Sequence, residues 1–363
     1  MKRVRAAVVG CGCISGIYLT NLTTRFSDVV EVAMVCDIIP ERALEAQKTY
    51  NIHKAVFTDE EVMADPTIEV VLNITPPLEH KKVNMMALAA GKHAFCEKPL
   101  ACTLADGREQ AALAQEKGLL LGGAPDTFLG GGIQTCKKLI EDGWIGTPVA
   151  ATAQMLSHGP ESWHPDPEFF YKFGAGPLFD MGPYYVTALI NLLGGVKNVA
   201  ASARASYPQR VIGSEKKKGQ VIDVEVPTHC AGILNFASGA IGTLVTSFDV
   251  WNRGGQPITV YGSAGTIRVP DPNTFGGPIE LLRAGSGEWE QVPVVYPHTE
   301  NSRGLGFTDF CRCIRTGEEP LAGWKQTLHV LEVMCAFYAS SETGENIAIE
   351  SAYPRRNAVA LNK

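Results

Sequence analysis

The sequence predicts an α/β protein in two parts. Residues 1–124 form a doubly wound parallel sheet, and residues 125–363 form an α/β domain on a large, open, mostly antiparallel sheet. Three observations lead there. Before residue 124, short apolar runs alternate with longer helical patterns, which implies parallel strands with right-handed crossovers and helices on both faces. One of those runs, Ile68-Glu69-Val70-Val71-Leu72-Asn73-Ile74, is nearly continuous in apolar residues, as in a strand buried on both faces. Late in the chain, strand-like runs follow one another across turns such as Ala237-Ser238-Gly239 and Gly262-Ser263-Ala264-Gly265, the pattern of an antiparallel sheet.

In order, the first part reads as a strand over 4–9, a helix from 14 to about 26 and a strand over 30–36. A helix over 40–50 follows, with Pro40 in its first turn. A short strand near 55–57 and a short helix over 60–64 precede the strand over 68–74. The helix over 77–90 stops at Gly91. A strand over 93–96, a helix over 103–117 and a strand over 119–122 close the series. The second part opens with a helix over 133–142 and a strand over 149–155. Residues 157–171 show no periodicity and are rich in Pro and aromatics. A loop of that length is commonly functional or disordered, and its aromatic residues favour order. A helix over 180–193 ends at Gly194-Gly195. Strands are expected over 199–205, 228–236, 240–248, 258–261, 266–269, 279–283 and 291–295, then helices over 305–316 and 325–343.

With 363 residues, 45% hydrophobic and 19% charged, the chain can build two cores. Its net charge of -6 argues against nucleic acid or an anionic membrane as partner. The one basic run, Lys216-Lys217-Lys218, reads as a solvated loop. The ten cysteines fall mostly in apolar runs, as reduced thiols do in a cytoplasm. The pairs Cys11/Cys13 and Cys311/Cys313 lack the C-x-x-C spacing of zinc sites, so no metal is expected. No apolar stretch approaches the ~20 residues that span a bilayer. A soluble, cytoplasmic protein is expected.

Between the first strand and first helix lies Gly10-Cys11-Gly12-Cys13-Ile14-Ser15. In such a turn Gly10 makes the bend, Gly12 lets a pyrophosphate approach the backbone, and small Ser15 lets the helix pack on the strand. The helix N-terminus offers N–H groups to the phosphate. Asp37, at the tip of the second strand, suits the adenosine ribose 2′-OH. Ile38 and Ile39 follow it, with no Arg until Arg42, so NAD is expected over NADP.

Four stretches together resemble the glucose–fructose oxidoreductase / inositol dehydrogenase (Gfo/Idh/MocA) family. They are the glycine turn; Thr75-Pro76-Pro77-x-x-His80; Ala90-Gly91-Lys92-His93-x-x-x-Glu97-Lys98-Pro99-Leu100; and Gly174-x-Gly176-x-x-x-Asp180-x-Gly182-x-Tyr184. The resemblance implies an N-terminal Rossmann domain and NAD(P)-linked redox chemistry on sugars, cyclitols or similar polyols. It also implies homo-oligomers formed through the open sheet face. Two departures stand out. Tyr184 replaces the usual His, and Ala124-Pro125-Asp126-Thr127 replaces a common Asn-Arg pair.

With the resemblance, Gly10, Gly12, Cys13, Ile14, Ser15, Asp37, Thr75, Pro76, His80, Glu97 and Lys98 become the cofactor residues, with His80 and Glu97 on the nicotinamide side. Lys98 holds the substrate hydroxyl and stabilises developing alkoxide. Asp180 and Tyr184, four apart at a helix start, share a face. Tyr184 is the expected acid/base, with its pKa lowered by Lys98. Asp180 serves as helix cap, substrate ligand or both. His158, Trp163 and His164 are the loop's substrate candidates, and His164 is the rival for proton transfer. The expected activity is NAD-dependent oxidation of a secondary hydroxyl of a sugar, glycoside or inositol to a ketone. The alternatives are a dihydrodiol dehydrogenase, a small-carbonyl reductase, or a dinucleotide-sensing regulator without turnover.

Overall fold

The computed structural model describes residues 2–252 and 254–360. They divide into two compact units: residues up to Asp126 with Asn301–Leu331, and Thr127–Glu300 with the chain from Glu332 on.

The first unit runs β1 (Val4–Val9), α1 (Ser15–Thr23), β2 (Val30–Cys36), α2 (Pro40–Tyr50), β3 (Lys54–Val56), α3 (Asp59–Ala64), β4 (Val70–Asn73), α4 (His80–Ala89), β5 (His93–Cys96), α5 (Leu104–Lys117) and β6 (Leu121–Gly123). Its strands are all parallel, in the order β3-β2-β1-β4-β5-β6. The order reverses between β1 and β4, the switch point where ligands of such sheets bind. Val4, Ala6, Ala7, Val8, Val70, Val71 and Leu72 are fully buried, as helices on both faces require. Register then does the positioning. Val9 stands beside Cys36 and Asn73, Asn73 beside Cys96, and Cys96 beside Gly123. The strands end level, so Gly10, Asp37, Thr75 and Glu97-Lys98 follow at one edge. The expected helix over 77–90 is instead a 3-10 turn, Pro77–Glu79, leading into α4.

A single cut after residue 124 does not describe the units. Residues 301–331 pack with the parallel sheet because apolar and polar groups both tie them there. Phe307 and Phe310 set their ring edges on Phe95, with centroids 5.6 and 5.4 Å away. Asp126 accepts hydrogen bonds from the Gly304 and Gly306 N–H groups at 2.8 and 3.1 Å, at the start of a helix over Leu305–Thr316. Arg315 on that helix meets Glu69 at 2.7 Å.

The second unit holds α6 (Gly131–Glu141), β7 (Pro148–Leu156), α7 (Gly176–Leu193), β8 (Val196–Arg204), β9 (Gln209–Val211), β10 (Val221–Asp223), β11 (His229–Phe236), β12 (Ile241–Ser247), β13 (Ile258–Gly262), β14 (Gly265–Val269), β15 (Ile279–Arg283) and β16 (Trp289–Val292). After α8 (Leu305–Thr316) of the first unit, α9 (Trp324–Thr343) starts in that unit and continues into the second, where β17 (Ile347–Ala348) follows. Nine strands form one sheet in the order β16-β15-β14-β13-β7-β12-β11-β8-β17, antiparallel except for the β7–β12 pair. Cys230, Leu234 and Leu244 are buried on one face, where Phe337 packs on Gly232. On the other, Ile233, Ile241 and Tyr261 are exposed.

Two readings of the second unit change. Helix α7 starts at Gly176, where φ is +79°, with Pro177 in its first turn, so Asp180 lies beyond that turn and Ala175 is the cap residue. Asp180 is therefore no helix cap. The short hairpin β9–β10 had no counterpart in the expected strands, and its turn residues Lys216 and Lys217 pair with Asp166 and Glu168. Among the described residues, no helix is long and apolar enough to cross a membrane.

Candidate active site

The glycine turn leaves β1 with Gly10 at φ +100°. A Cβ there would lie 2.8 Å from the Ile74 carbonyl oxygen and 3.0 Å from the Thr75 nitrogen, so the turn fits under the end of β4 only with glycine. Gly12 differs: a Cβ on it would meet nothing within 4 Å. Nothing in the protein requires glycine there, whereas a pyrophosphate approaching the backbone would. Ser15 is buried, and its hydroxyl donates to the Gly12 carbonyl at 2.7 Å, closing the turn. Helix α1 has no side-chain cap and no acid in its first turn. Its positive end is thus open to an anion. Cys13 and Ile14 are exposed on the same turn.

Asp37 is buried and holds the turn in place. Its Oδ2 accepts from the Cys11 N–H and its Oδ1 from the Ile39 N–H, both at 2.8 Å. Burial, with the Asp37 charge adding to it, pushes the Cys11 thiol up to about 12, so it remains a thiol. Arg42 acts on Cys11 in the opposite direction. These residues fit the adenosine and pyrophosphate parts of a dinucleotide.

The loops after β4 and β5 are fixed from beneath. Asn73, fully buried, accepts from the Thr75 hydroxyl at 2.6 Å and donates to Asn84 at 3.0 Å; Asn84 in turn donates to Gln110 at 2.8 Å. Pro76 is exposed at the tip. His80 does not line a ligand surface. Its ring is fully buried, with Nδ1 2.7 Å from the Pro99 carbonyl and Nε2 2.9 Å from the Thr75 carbonyl. Burial above all pushes its pKa down, against the two carbonyl contacts, which pull it up; a neutral ring has one N–H and donates to one of these carbonyls, whereas a charged ring would donate to both. Glu97 is also buried: it accepts from the Tyr18 hydroxyl at 2.6 Å and from the Lys98 N–H at 3.0 Å. Lys98 itself is half-buried at the carboxyl edge.

In the second unit, Asp180 is half-buried and Tyr184 buried, one turn apart on α7. Residues 157–171 are ordered by 3-10 turns at Pro160–Ser162 and Pro167–Tyr171. His158 stacks on exposed Trp251, centroids 3.7 Å apart. Trp163 is 67% exposed and sets its edge against His164 at 5.4 Å. The Asp166 N–H donates to His164 Nδ1 at 3.1 Å. A neutral His164 then carries its proton on Nε2 and has no lone pair left there for a substrate proton. Sequence reasoning missed Tyr18, Asn73, Asn84 and Gln110. Of these, only Tyr18 left a signal, its helical spacing from Ser15.

A Rossmann sheet with a glycine turn, an acid after the second strand and a lysine after the fifth defines a dinucleotide-binding oxidoreductase. Residues 4–123 match the model for the "Oxidoreductase family, NAD-binding Rossmann fold", and residues 133–268 match the "GFO/IDH/MocA C-terminal domain". The chain is 32% identical over 265 residues to a trans-1,2-dihydrobenzene-1,2-diol dehydrogenase of Oryctolagus cuniculus, covering 73% of this chain and 75% of that one. It is 26% identical over 265 residues to a myo-inositol 2-dehydrogenase of Thermotoga maritima, covering 73% and 74%. A levoglucosan dehydrogenase solved with NADH and levoglucosan shares the fold, with TM-score 0.81 and 20% identity over 96% of this chain and 100% of that one. The chain belongs to the Gfo/Idh/MocA family of NAD-binding oxidoreductases.

Proposed function

We propose that this chain oxidises a secondary hydroxyl on a ring that carries an adjacent hydroxyl, as in a sugar, glycoside or inositol, to the ketone. The observation that carries the reading is the level carboxyl edge of the parallel sheet, where Asp37, the glycine turn, Thr75 and Lys98 follow β2, β1, β4 and β5 in spatial order. Relatives named for dihydrodiol and myo-inositol oxidation support the substrate class. Gly10, Gly12 and Ser15 hold the pyrophosphate, and Asp37 holds the adenosine ribose. When bound, NAD supplies the hydride acceptor. Lys98 holds the substrate hydroxyl through its ammonium and stabilises the alkoxide left when the proton departs, which becomes the ketone as the hydride leaves carbon. Tyr184, acting as its phenolate, takes the hydroxyl proton and passes it to solvent, while Asp180 orients the neighbouring hydroxyl. His158, Trp163 and His164 contact the ring. His164 as proton acceptor is the weaker reading, because its Nδ1 already accepts from the Asp166 N–H.

The dihydrodiol reading stays in view for one reason: the 32% identical relative bears that name, and its diol is also a ring with adjacent secondary hydroxyls. The exposed sheet face with Ile233, Ile241 and Tyr261 is the proposed homo-oligomer interface. The free cysteines of the described residues fit a reducing cytoplasm, the location proposed here. The test is NADH absorbance with a panel of inositols, aldoses, levoglucosan and trans-dihydrobenzenediol, with products identified. Turnover of a ring diol supports the reading. NAD binding without turnover on any of them would instead favour a dinucleotide sensor.

A further inference from the structure

Residues 157–173 carry His158, Trp163 and His164, yet no long helix or strand holds them. A second segment does. The Gly213 and Ser214 N–H groups, in the turn of β9–β10, donate to the Glu161 carbonyl at 2.9 and 3.0 Å. From β9, the Arg210 side chain enters the same place and is 5% exposed. Its Nε donates to Glu161 Oε1 at 2.8 Å, and its Nη2 donates to the His158 carbonyl at 2.7 Å and the Phe248 carbonyl at 3.1 Å. Its Nη1 donates to Asp249 at 3.0 Å. Glu161 also takes the Tyr171 hydroxyl, and Asp249 takes the Thr228 hydroxyl at 2.6 Å. One planar cation thus fastens both His158 and Glu161 to the sheet end, using the fixed fork of N–H groups that lysine lacks. Further out, Lys216 meets Asp166 at 2.6 Å, Lys217 pairs with Asp166 and Glu168, and Lys172 meets Glu225 at 2.7 Å. The two lysines hold the Asp166 carboxyl down at about 2. Trp163 and His164 therefore lie between a buried tie at Glu161 and an exposed one at Asp166.

We propose that Arg210 is a positioning residue for substrate binding, and that the β9–β10 hairpin braces residues 157–173 so that His158, Trp163 and His164 are presented in one geometry. The inference rests on the proposed function, in which this loop contacts the ring of the substrate. A loop ordered in advance does not lose its freedom at binding. Loosening the brace should raise KM for the polyol, while NAD affinity, set by the glycine turn and Asp37, stays the same.

Arg210→Lys keeps the charge but loses the fork. Because it leaves Glu161 and Asp249 poorly satisfied, its folding is checked by melting, and the exposed ties provide an independent route. The double variant Lys216→Glu/Lys217→Glu reverses charges at the surface, and the quadruple variant adds Asp166→Lys/Glu168→Lys to restore the pairs in opposite sense. The probe is whichever of myo-inositol, D-glucose and levoglucosan the protein turns over fastest. Exposed pairs are individually weak, so the double variant should raise KM only roughly two- to tenfold. Amide exchange over residues 157–173, a readout independent of turnover, should quicken by a similar factor. The quadruple variant should recover both, NAD Kd should be unchanged in all, and Arg210→Lys should exceed the double variant. Unchanged KM in the double variant and in Arg210→Lys overturns the inference, as does faster exchange without a KM change or a quadruple variant that recovers neither. Trp163→Ala and His164→Ala separate the two claims. If they leave KM unchanged, the substrate role of the loop fails; if they raise KM while the brace variants do not, the brace alone fails.

Discussion

Gly10 and Gly12 are two residues apart and should respond oppositely to the same substitution. In Gly10→Ala the residue keeps φ near +100°, which costs an L-residue roughly 1–2 kcal/mol. The new methyl would also lie 2.8 Å from the Ile74 oxygen and 2.9 Å from its carbonyl carbon, both backbone atoms with little room to yield. Overpacking of that kind adds about 1–3 kcal/mol, giving a loss of about 2–5 kcal/mol in urea unfolding. In Gly12→Ala the methyl meets nothing within 4 Å, and φ lies outside the left-handed range. Losing glycine's freedom in the unfolded chain should then leave stability equal or raise it by about 0.4–1 kcal/mol. The same methyl stands where the pyrophosphate must approach, so NAD should bind at least about tenfold more weakly, or ~1.4 kcal/mol by calorimetric titration. Gly12→Ala with wild-type NAD affinity would refute the placing of the pyrophosphate on this turn. A stability loss equal to that of Gly10→Ala would refute the structural argument.

Three further outcomes follow. Asp37→Ala removes a charged acceptor, so NAD affinity should fall by roughly 1.5–3 kcal/mol; NADP should lose less, because the carboxylate that repels its 2′-phosphate goes too, and an unchanged NAD Kd would contradict the ribose assignment. Burial raises the Asp126 carboxyl to about 6, against about 3.9 unfolded. The folded state thus binds this proton more tightly, and the stability it contributes is full below pH ~4 and lost as pH rises through 6. Asp126→Asn, which still offers an acceptor to Gly304 and Gly306, should gain on wild type by up to about 3 kcal/mol between pH 4 and 7, and a pH-independent difference in urea midpoints would contradict this. Light scattering at micromolar concentration should give a multiple of the chain mass, and Ile233→Lys with Ile241→Lys should lower it; a monomeric wild type would remove the sheet face as an interface.

The parallel sheet was legible because its strands are buried on both faces and so appear as apolar runs, and because glycine punctuates the turn after β1. Its edge residues were legible for the same reason: Asp37, Thr75 and Glu97-Lys98 each follow a run that ends level with its neighbours. What failed depended on distant contacts. Nothing local marks residues 301–331 as companions of Phe95, since that pairing joins rings some two hundred residues apart in sequence. Asp180 imitates a helix cap, whereas the helix begins earlier at Gly176-Pro177, where a positive φ rather than a polar side chain sets the start. The three-residue strands β9 and β10 are too short to show alternation, and Lys216 and Lys217 reveal themselves as ties only beside Asp166 and Glu168. His80 belongs to a recognisable motif, but its burial between two carbonyls is a property of the folded loops, not of the spacing.

The central claim is that Lys98 and Tyr184 serve one hydride-transfer step, and single-turnover NADH formation tests it directly. With NAD saturating and the panel's best substrate in excess, Lys98→Ala and Tyr184→Phe should each slow the step by about 10²–10⁴ while NAD still binds. The double variant should lose far less than the product of the two, because groups that act as a unit are not additive, and His164→Ala should retain most of the rate. Near-normal hydride transfer in Tyr184→Phe, with its loss in His164→Ala, would contradict the account.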